Sequence, residues 1–128
     1  MSYCFSKIVK MPYNEAIAKV TAELQKEGFG ILTEIDVKDK LKEKIKVDFR
    51  NYIILGACNP SYAYKALQEE PHVGTMLPCN VVVQQLETGE IEVSAIDPLA
   101  SMMAIDNKDL VVIANEIQTK LKKVIDAV

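Results

Sequence analysis

The feature that most constrains the fold is a continuous apolar run, Tyr52–Cys58, which ends at the dipeptide Asn59-Pro60. A run of seven residues is short for a helix, and its two adjacent isoleucines favour a strand inside a sheet, covered on both sides. Asn followed by Pro is typical of a helix start, because Asn caps the first turn and Pro fits the first helical position. The sequence therefore predicts an interior strand that leads directly into a helix over 60–69.

Two strand–helix pairs are predicted before this run. Residues 2–11 form the first strand, and a helix over 12–28 starts at a proline and ends at a glycine in a left-handed cap. Alternating apolar residues predict a second strand over 29–35. Asp36 then caps a short helix over 37–46. The side chains expected to pack this short helix are Val37, Leu41 and Ile45.

A β-hairpin is predicted after the third helix, with strands over 81–86 and 91–96. Its turn, Glu87-Thr88-Gly89, suits a type I turn in which the glycine takes the left-handed position of a bulge. Asp97-Pro98 ends the hairpin, and a long last helix is expected to begin at an Asp106 cap. The buried stripe expected on this helix is Leu110, Ile113, Ile117, Leu121 and Val124.

The predicted order of elements is β-α-β-α-β-α-β-β-α. A hairpin together with an interior strand indicates a largely antiparallel or mixed sheet with helices on one face. With 128 residues, 49% of them hydrophobic, the chain is long enough to form one core without disulfides. The fold class is therefore α+β in two layers, in a single domain over 1–128.

Charge and composition argue against several classes of partner. The net charge is −3, whereas binding to nucleic acid requires a cluster of cations. Five lysines at alternate positions over 38–46 spread around a helix and are expected to form a solvated face. No apolar run is long enough to span a bilayer, and no signal peptide is visible. Three cysteines are an odd number, so we expect free thiols in a cytoplasmic protein.

The hairpin brings polar residues together at its open end. With Gly89 in a bulge, the ladder places Cys79 opposite Asp97, whereas a plain two-residue turn would place Asn80 there. Either register puts the Cys79-Asn80 pair beside the aspartate. A ligand site is therefore expected where the hairpin strands end.

A second Cys-Asn pair, Cys58-Asn59, lies at the exit of the interior strand. If this strand and the first hairpin strand are antiparallel neighbours, Cys58 and Cys79 share one end of the sheet. The helix N-terminus after Cys58 favours an anion, so it would lower the pKa of the thiol or bind a carboxylate or phosphate with help from Asn59. The competing interpretation is a buried apolar cysteine and an ordinary helix cap.

A metal site is not expected. The residues that could ligate a soft metal are Cys58, Cys79, His72 and Asp97, and they have none of the standard short spacings. His72 lies in a loop and is expected to be exposed. No glycine-rich phosphate loop is present, so no cofactor is expected either.

Several segments closely resemble, in order and in spacing, the domain of unknown function 302 family. The resemblance covers nearly the whole chain. It implies a strongly curved antiparallel sheet packed against helices, similar to the architecture of the TATA-binding protein, without implying DNA binding or any other activity. The segments that carry the resemblance are Gly28–Asp36, Tyr52–Pro60, Ala63, Leu67, Leu77–Val81 and Ile96–Pro98.

Three functions follow from these residues. The first is a module that binds a small molecule or an ion, with no catalysis, through Cys58, Asn59, Cys79, Asn80 and Asp97. The second is a thiol-dependent enzyme, redox or nucleophilic, that uses Cys58 with Cys79 as its partner. The third is an interaction domain that forms a homodimer through apolar residues around Met102-Met103.

Overall fold

The computed structural model describes residues 2–128 and confirms the α+β class. Its strands are β1 (Cys4–Val9), β2 (Gly30–Asp36), β3 (Tyr52–Cys58), β4 (Cys79–Gln85) and β5 (Ile91–Ile96). Its α-helices are α1 (Tyr13–Lys26), α2 (Val37–Ile45), α3 (Pro60–Glu69), α4 (Pro98–Met102) and α5 (Lys108–Ala127). A 3₁₀ helix, Pro71–Met76, takes the place of the loop expected before β4.

The five strands form one sheet in the order β1-β5-β4-β3-β2, and every neighbouring pair is antiparallel. The choice left open between an antiparallel and a mixed sheet is thus decided for the antiparallel one. Helices α1 and α5 pack on one face of this sheet. The apolar core lies between these two layers.

The other face of the sheet, here called the open face, is only partly covered. In β3, Ile53 and Leu55 are buried against the helices, whereas Tyr52 and Ile54 point the other way and are half-buried. The expectation that β3 is covered on both sides is therefore wrong, although β3 does lie inside the sheet between β4 and β2. Its apolar run reflects burial on one face and neighbouring strands on both edges.

The hairpin has the register predicted from its glycine bulge. Gly89 has a φ of +88°, and the amide of Leu86 donates to the carbonyl of Glu90 at 2.8 Å. The ladder then runs to Val81 opposite Ala95. Two more residues in the same register place Cys79 opposite Asp97, so the two-residue turn is excluded.

The ends of α1 and α2 follow the predicted capping, whereas the start of the last helix does not. Asp36 Oδ1 accepts from the amide of Asp39 at 3.0 Å, and Gly28 has the expected positive φ of +86°. The last helix is capped by Asn107, whose Oδ1 accepts from the amide of Leu110 at 3.1 Å, and not by Asp106. The predicted stripe of α5 is buried as a whole.

Helix α2 is the least buried of the helices. None of its residues is fully buried, and Ile45 is 62% exposed, so the expectation that Ile45 packs this helix is wrong. The neighbouring edge strand β2 is similarly exposed and carries a β-bulge between Ile31 and Thr33. Leu32, within this bulge, is 66% exposed.

Candidate functional site

The two later cysteines lie at the same end of the sheet. β3 and β4 are antiparallel neighbours, and Ala57 pairs directly with Cys79, which places Cys58 one residue further along. Cys58 and Cys79 line one small cavity together with Asn59. Its volume of about 20 Å³ leaves space for about one water molecule and no organic ligand.

Burial makes both of these thiols harder to ionise. It raises the pKa of Cys58, and it raises the pKa of Cys79 to about 11, with the neighbouring Cys58 contributing a smaller part. The expectation that the N-terminus of α3 lowers the pKa of Cys58 is therefore wrong. At neutral pH both groups are thiols, which counts against a reactive thiolate at this position.

Asn59 occupies the N-cap position of α3, but its side chain does not cap the helix. Its Nδ2 instead donates to the carbonyl of Glu27 at 3.2 Å, just after the end of α1. A Cβ on Gly28 would lie 3.1 Å from the same Nδ2, so the glycine leaves room for this amide. Asn59 therefore links the β3–α3 junction to the end of α1 by a hydrogen bond.

Asn80 and Asp97 point to opposite sides of the sheet. Asn80 is exposed and lines a cavity of about 230 Å³ on the surface, together with Pro78 and Ser101. Asp97 lies on the helical side, where its Oδ1 and Oδ2 accept from Gln118 Nε2 at 3.1 and 3.2 Å. The predicted site residues are thus divided: Cys58, Asn59 and Cys79 line one cavity, while Asn80 and Asp97 line others.

The cavity beside Asp97 has the dimensions of a ligand site. It lies between α4, α5 and the segment that joins them, and its volume is about 390 Å³. We call it the α4–α5 cleft. It is lined by Asp97, Leu99, Ala100, Met102, Met103, Ile105, Leu110, Val111 and Ala114.

The α4–α5 cleft combines apolar walls with one carboxylate. Asp97 Oδ1 accepts from the amide of Leu99 at 3.0 Å in addition to Gln118, so its orientation is fixed. Among residues 2–128, no basic side chain forms an ion pair with Asp97. A negative charge without a cationic partner therefore faces an apolar cleft.

The remaining sequence-based candidates are placed as follows. Met102 is buried at the base of the α4–α5 cleft, whereas Met103 is 69% exposed at its mouth. The His72 side chain is 92% exposed, as expected, with Nδ1 3.5 Å from Glu70 Oε1.

Residues 2–128 contain no group of three or more His, Cys, Asp or Glu side chains arranged to hold a metal ion. In the same part of the chain, no helix combines the length and apolarity needed to cross a bilayer.

This chain is similar to proteins of one family over nearly its whole length. The family model "Domain of unknown function DUF302" matches residues 5–128. A DUF302 protein from Bacillus stearothermophilus, known from a crystal structure and described as uncharacterized and conserved, is 31% identical, with a TM-score of 0.92 over 99% of this chain and 98% of that one.

A curated relative adds a more distant match. It is an "Uncharacterized protein" of Aquifex aeolicus (strain VF5), 26% identical over 91 residues, or 71% of this chain. The match covers 57% of that protein, so the chain spans little more than half of this relative's length. None of these descriptions mentions a ligand or a reaction.

Proposed function

Because this chain belongs to the DUF302 family of domains of unknown function, we propose a function from its own geometry: it is a small-molecule-binding module. The ligand occupies the α4–α5 cleft and is an apolar molecule with an amine or another cationic donor. The observation that carries this proposal is an apolar cleft of about 390 Å³ with a single, fixed carboxylate. Ligand sites in proteins have volumes of about 300–1,000 Å³, apolar walls and few polar groups.

The walls of the cleft support binding of an apolar body. Met102 and Met103 supply flexible, polarisable side chains that adapt to ligands of different shape. Val111 is 44% exposed and lies beside the opening, so a bulky side chain at this position would fill the entrance. The apolar part of a ligand would be removed from water between α4 and α5.

Asp97 supports selection for a positive group. A carboxylate has about four lone-pair positions, and the bonds to Leu99 and Gln118 leave acceptor capacity on Oδ2. An ammonium group beside Oδ2 would make a charge-assisted hydrogen bond next to the apolar walls of the cleft. The amide of Gln118 would hold the carboxylate in position for this contact.

The experiment is a titration of the full chain, labelled with ¹³C at the methionine methyls, with 1-naphthylmethylammonium and the neutral 1-naphthalenemethanol. We expect the ammonium probe to shift the Met102 and Met103 signals and to leave Met11, outside the cleft, unchanged. Asp97→Asn retains a good capping residue and should weaken binding of the ammonium about tenfold or more, with little effect on the alcohol.

The matched control uses two adjacent valines. Val111→Phe should abolish the probe-induced shifts, whereas Val112→Phe should preserve them, because Val112 is 57% exposed and does not line the cleft. Equal binding by both variants would contradict the proposal. Shifts of the Met103 signal that follow protein concentration without any probe would also contradict it, since they would indicate a homodimer at this face.

A further inference from the structure

The open face of the sheet carries a second cavity, of about 260 Å³, on the side opposite to the α4–α5 cleft. Three of the side chains that line it stand in one row across neighbouring strands. Tyr52 of β3 pairs with Gln84 of β4, and Gln84 pairs with Glu92 of β5. Since neighbouring strands are about 4.8 Å apart, the row spans roughly 10 Å of the face.

A fixed cation stands at the β3 end of this row. Arg50 is the only arginine of the chain, and its guanidinium carbon lies 4.4 Å from the centre of the Phe49 ring and 5.4 Å from that of Tyr52. Its Nε donates to Gln84 Oε1 at 3.0 Å. The two rings and the amide restrict the side chain, and only its Nε–H is used in the bond to Gln84.

A fixed anion stands at the other end of the row. Gln84 Nε2 donates to Glu92 Oε1 at 3.2 Å, so one amide orients both the guanidinium and the carboxylate. Among residues 2–128, neither Arg50 nor Glu92 forms an ion pair. Opposite charges therefore stand on either side of one amide, and each keeps hydrogen-bonding capacity for a ligand.

We propose that the open face binds a free α-amino acid. Such a molecule carries an anion and a cation on adjacent carbons. Arg50, which borders the cavity through its bond to Gln84, and Glu92, which lines it, offer the complementary pair. The guanidinium of Arg50 donates to the α-carboxylate, and Glu92 accepts from the α-ammonium. The side chain of the amino acid lies in the cavity beside Val82 and Ser94.

The size of the cavity agrees with this ligand. A volume of about 260 Å³ is below the range typical of drug-sized ligands, about 300–1,000 Å³, and suits a molecule with few heavy atoms. Its walls mix hydroxyl, amide and apolar groups. Ser6 and Ser94, whose hydroxyl oxygens are 2.8 Å apart, provide donors and acceptors for a polar side chain.

The test is calorimetric titration of the full chain with each of the standard amino acids, added singly at millimolar concentration. For any amino acid that binds, the matched probes are its amide, which lacks the carboxylate, and its N-acetyl form, which lacks the ammonium. We expect each probe to bind about tenfold or more weakly than the parent, because each loses one charge-assisted hydrogen bond. Binding by none of the amino acids would overturn the proposal.

Single substitutions distinguish binding at this site from a general effect of the protein's charge on affinity. Arg50→Gln and Glu92→Gln should each lower the affinity about tenfold or more, and Lys44→Gln, which removes an exposed cation from α2, should leave it unchanged. Thermal unfolding establishes that each variant is folded. Affinities that respond equally to Arg50→Gln and Lys44→Gln would overturn the assignment, as would a concentration-dependent dimer that buries Tyr52. Val111→Phe should have no effect, so this site and the α4–α5 cleft are tested independently.

Discussion

The Thr33 side chain occupies the space that a side chain on Gly56 would need. The two residues pair across β2 and β3, and a Cβ built on Gly56 would collide with Thr33 Oγ1 and lie 2.8 Å from Pro78 Cγ. The glycine therefore permits a close approach of β2, β3 and the start of β4. This contact lies at the end of the sheet that also holds Cys58 and Cys79.

Gly56→Ala is expected to lower the free energy of unfolding by about 1–3 kcal/mol, because the ring of Pro78 has little freedom to move away from the added methyl group. Urea denaturation gives the value. Gly30→Ala is the matched control, since a Cβ there has no heavy atom within 4 Å. A loss that is the same in both variants would refute this explanation.

Alkylation of Cys58 and Cys79 by iodoacetamide is expected to be slow at pH 7 and to accelerate as the pH rises above about 9. Burial raises the pKa of both thiols, so little thiolate is present at neutrality. Mass spectrometry of digested samples gives the rate at each cysteine. The control is the same chain in urea, in which both thiols should react faster. If Cys58 reacted faster in the folded protein than in urea, this result would restore the thiol-enzyme hypothesis.

Cys79 should also make stability depend on pH in the alkaline range. Its pKa is raised by folding to about 11, so the unfolded chain loses this proton first and stability falls as the pH rises from about 9 to 11. Denaturation curves at pH 8 and pH 10.5 measure the loss. Cys79→Ala should show a smaller decrease than the parent chain. Equal decreases would mean that other groups account for the dependence.

Asn59→Asp distinguishes two roles of Asn59: the hydrogen bond to Glu27 and the capping of α3. Asp caps helices as well as Asn does, but it cannot donate to the carbonyl of Glu27. We expect a loss of about 1–2 kcal/mol in the free energy of unfolding. The reverse exchange at the genuine cap, Asp36→Asn, should cost no more than about 0.5 kcal/mol. An Asn59→Asp variant as stable as the parent would favour the capping role.

The hairpin register was predictable because it depends on local chemistry. Gly89 is the residue that takes a left-handed conformation most readily, and once it does so the ladder is fixed as far as Val81 and Ala95. The meeting of Cys58 and Cys79 follows from the same reasoning about neighbouring antiparallel strands. These features need only short stretches of sequence.

Features that depend on distant segments were not predictable. The α4–α5 cleft arises from the spacing of two helices, and no periodicity of Leu110 or Val111 indicates a gap beside them. The bond from Asn59 to Glu27 joins residues 32 positions apart. The pKa values of the thiols depend on how deeply the strand ends are buried. The presence of a helix after Cys58, which is all that the sequence predicts, does not indicate this depth.

The bulge in β2 affects whether a strand of another molecule can pair with this edge of the sheet. A strand laid against this border would find its amide and carbonyl groups out of step between Ile31 and Thr33, with Leu32 projecting there. Extension of the sheet by an added strand is therefore disfavoured along this side. Within residues 2–128, β1 forms the opposite border of the sheet, and backbone pairing with another strand is expected there instead.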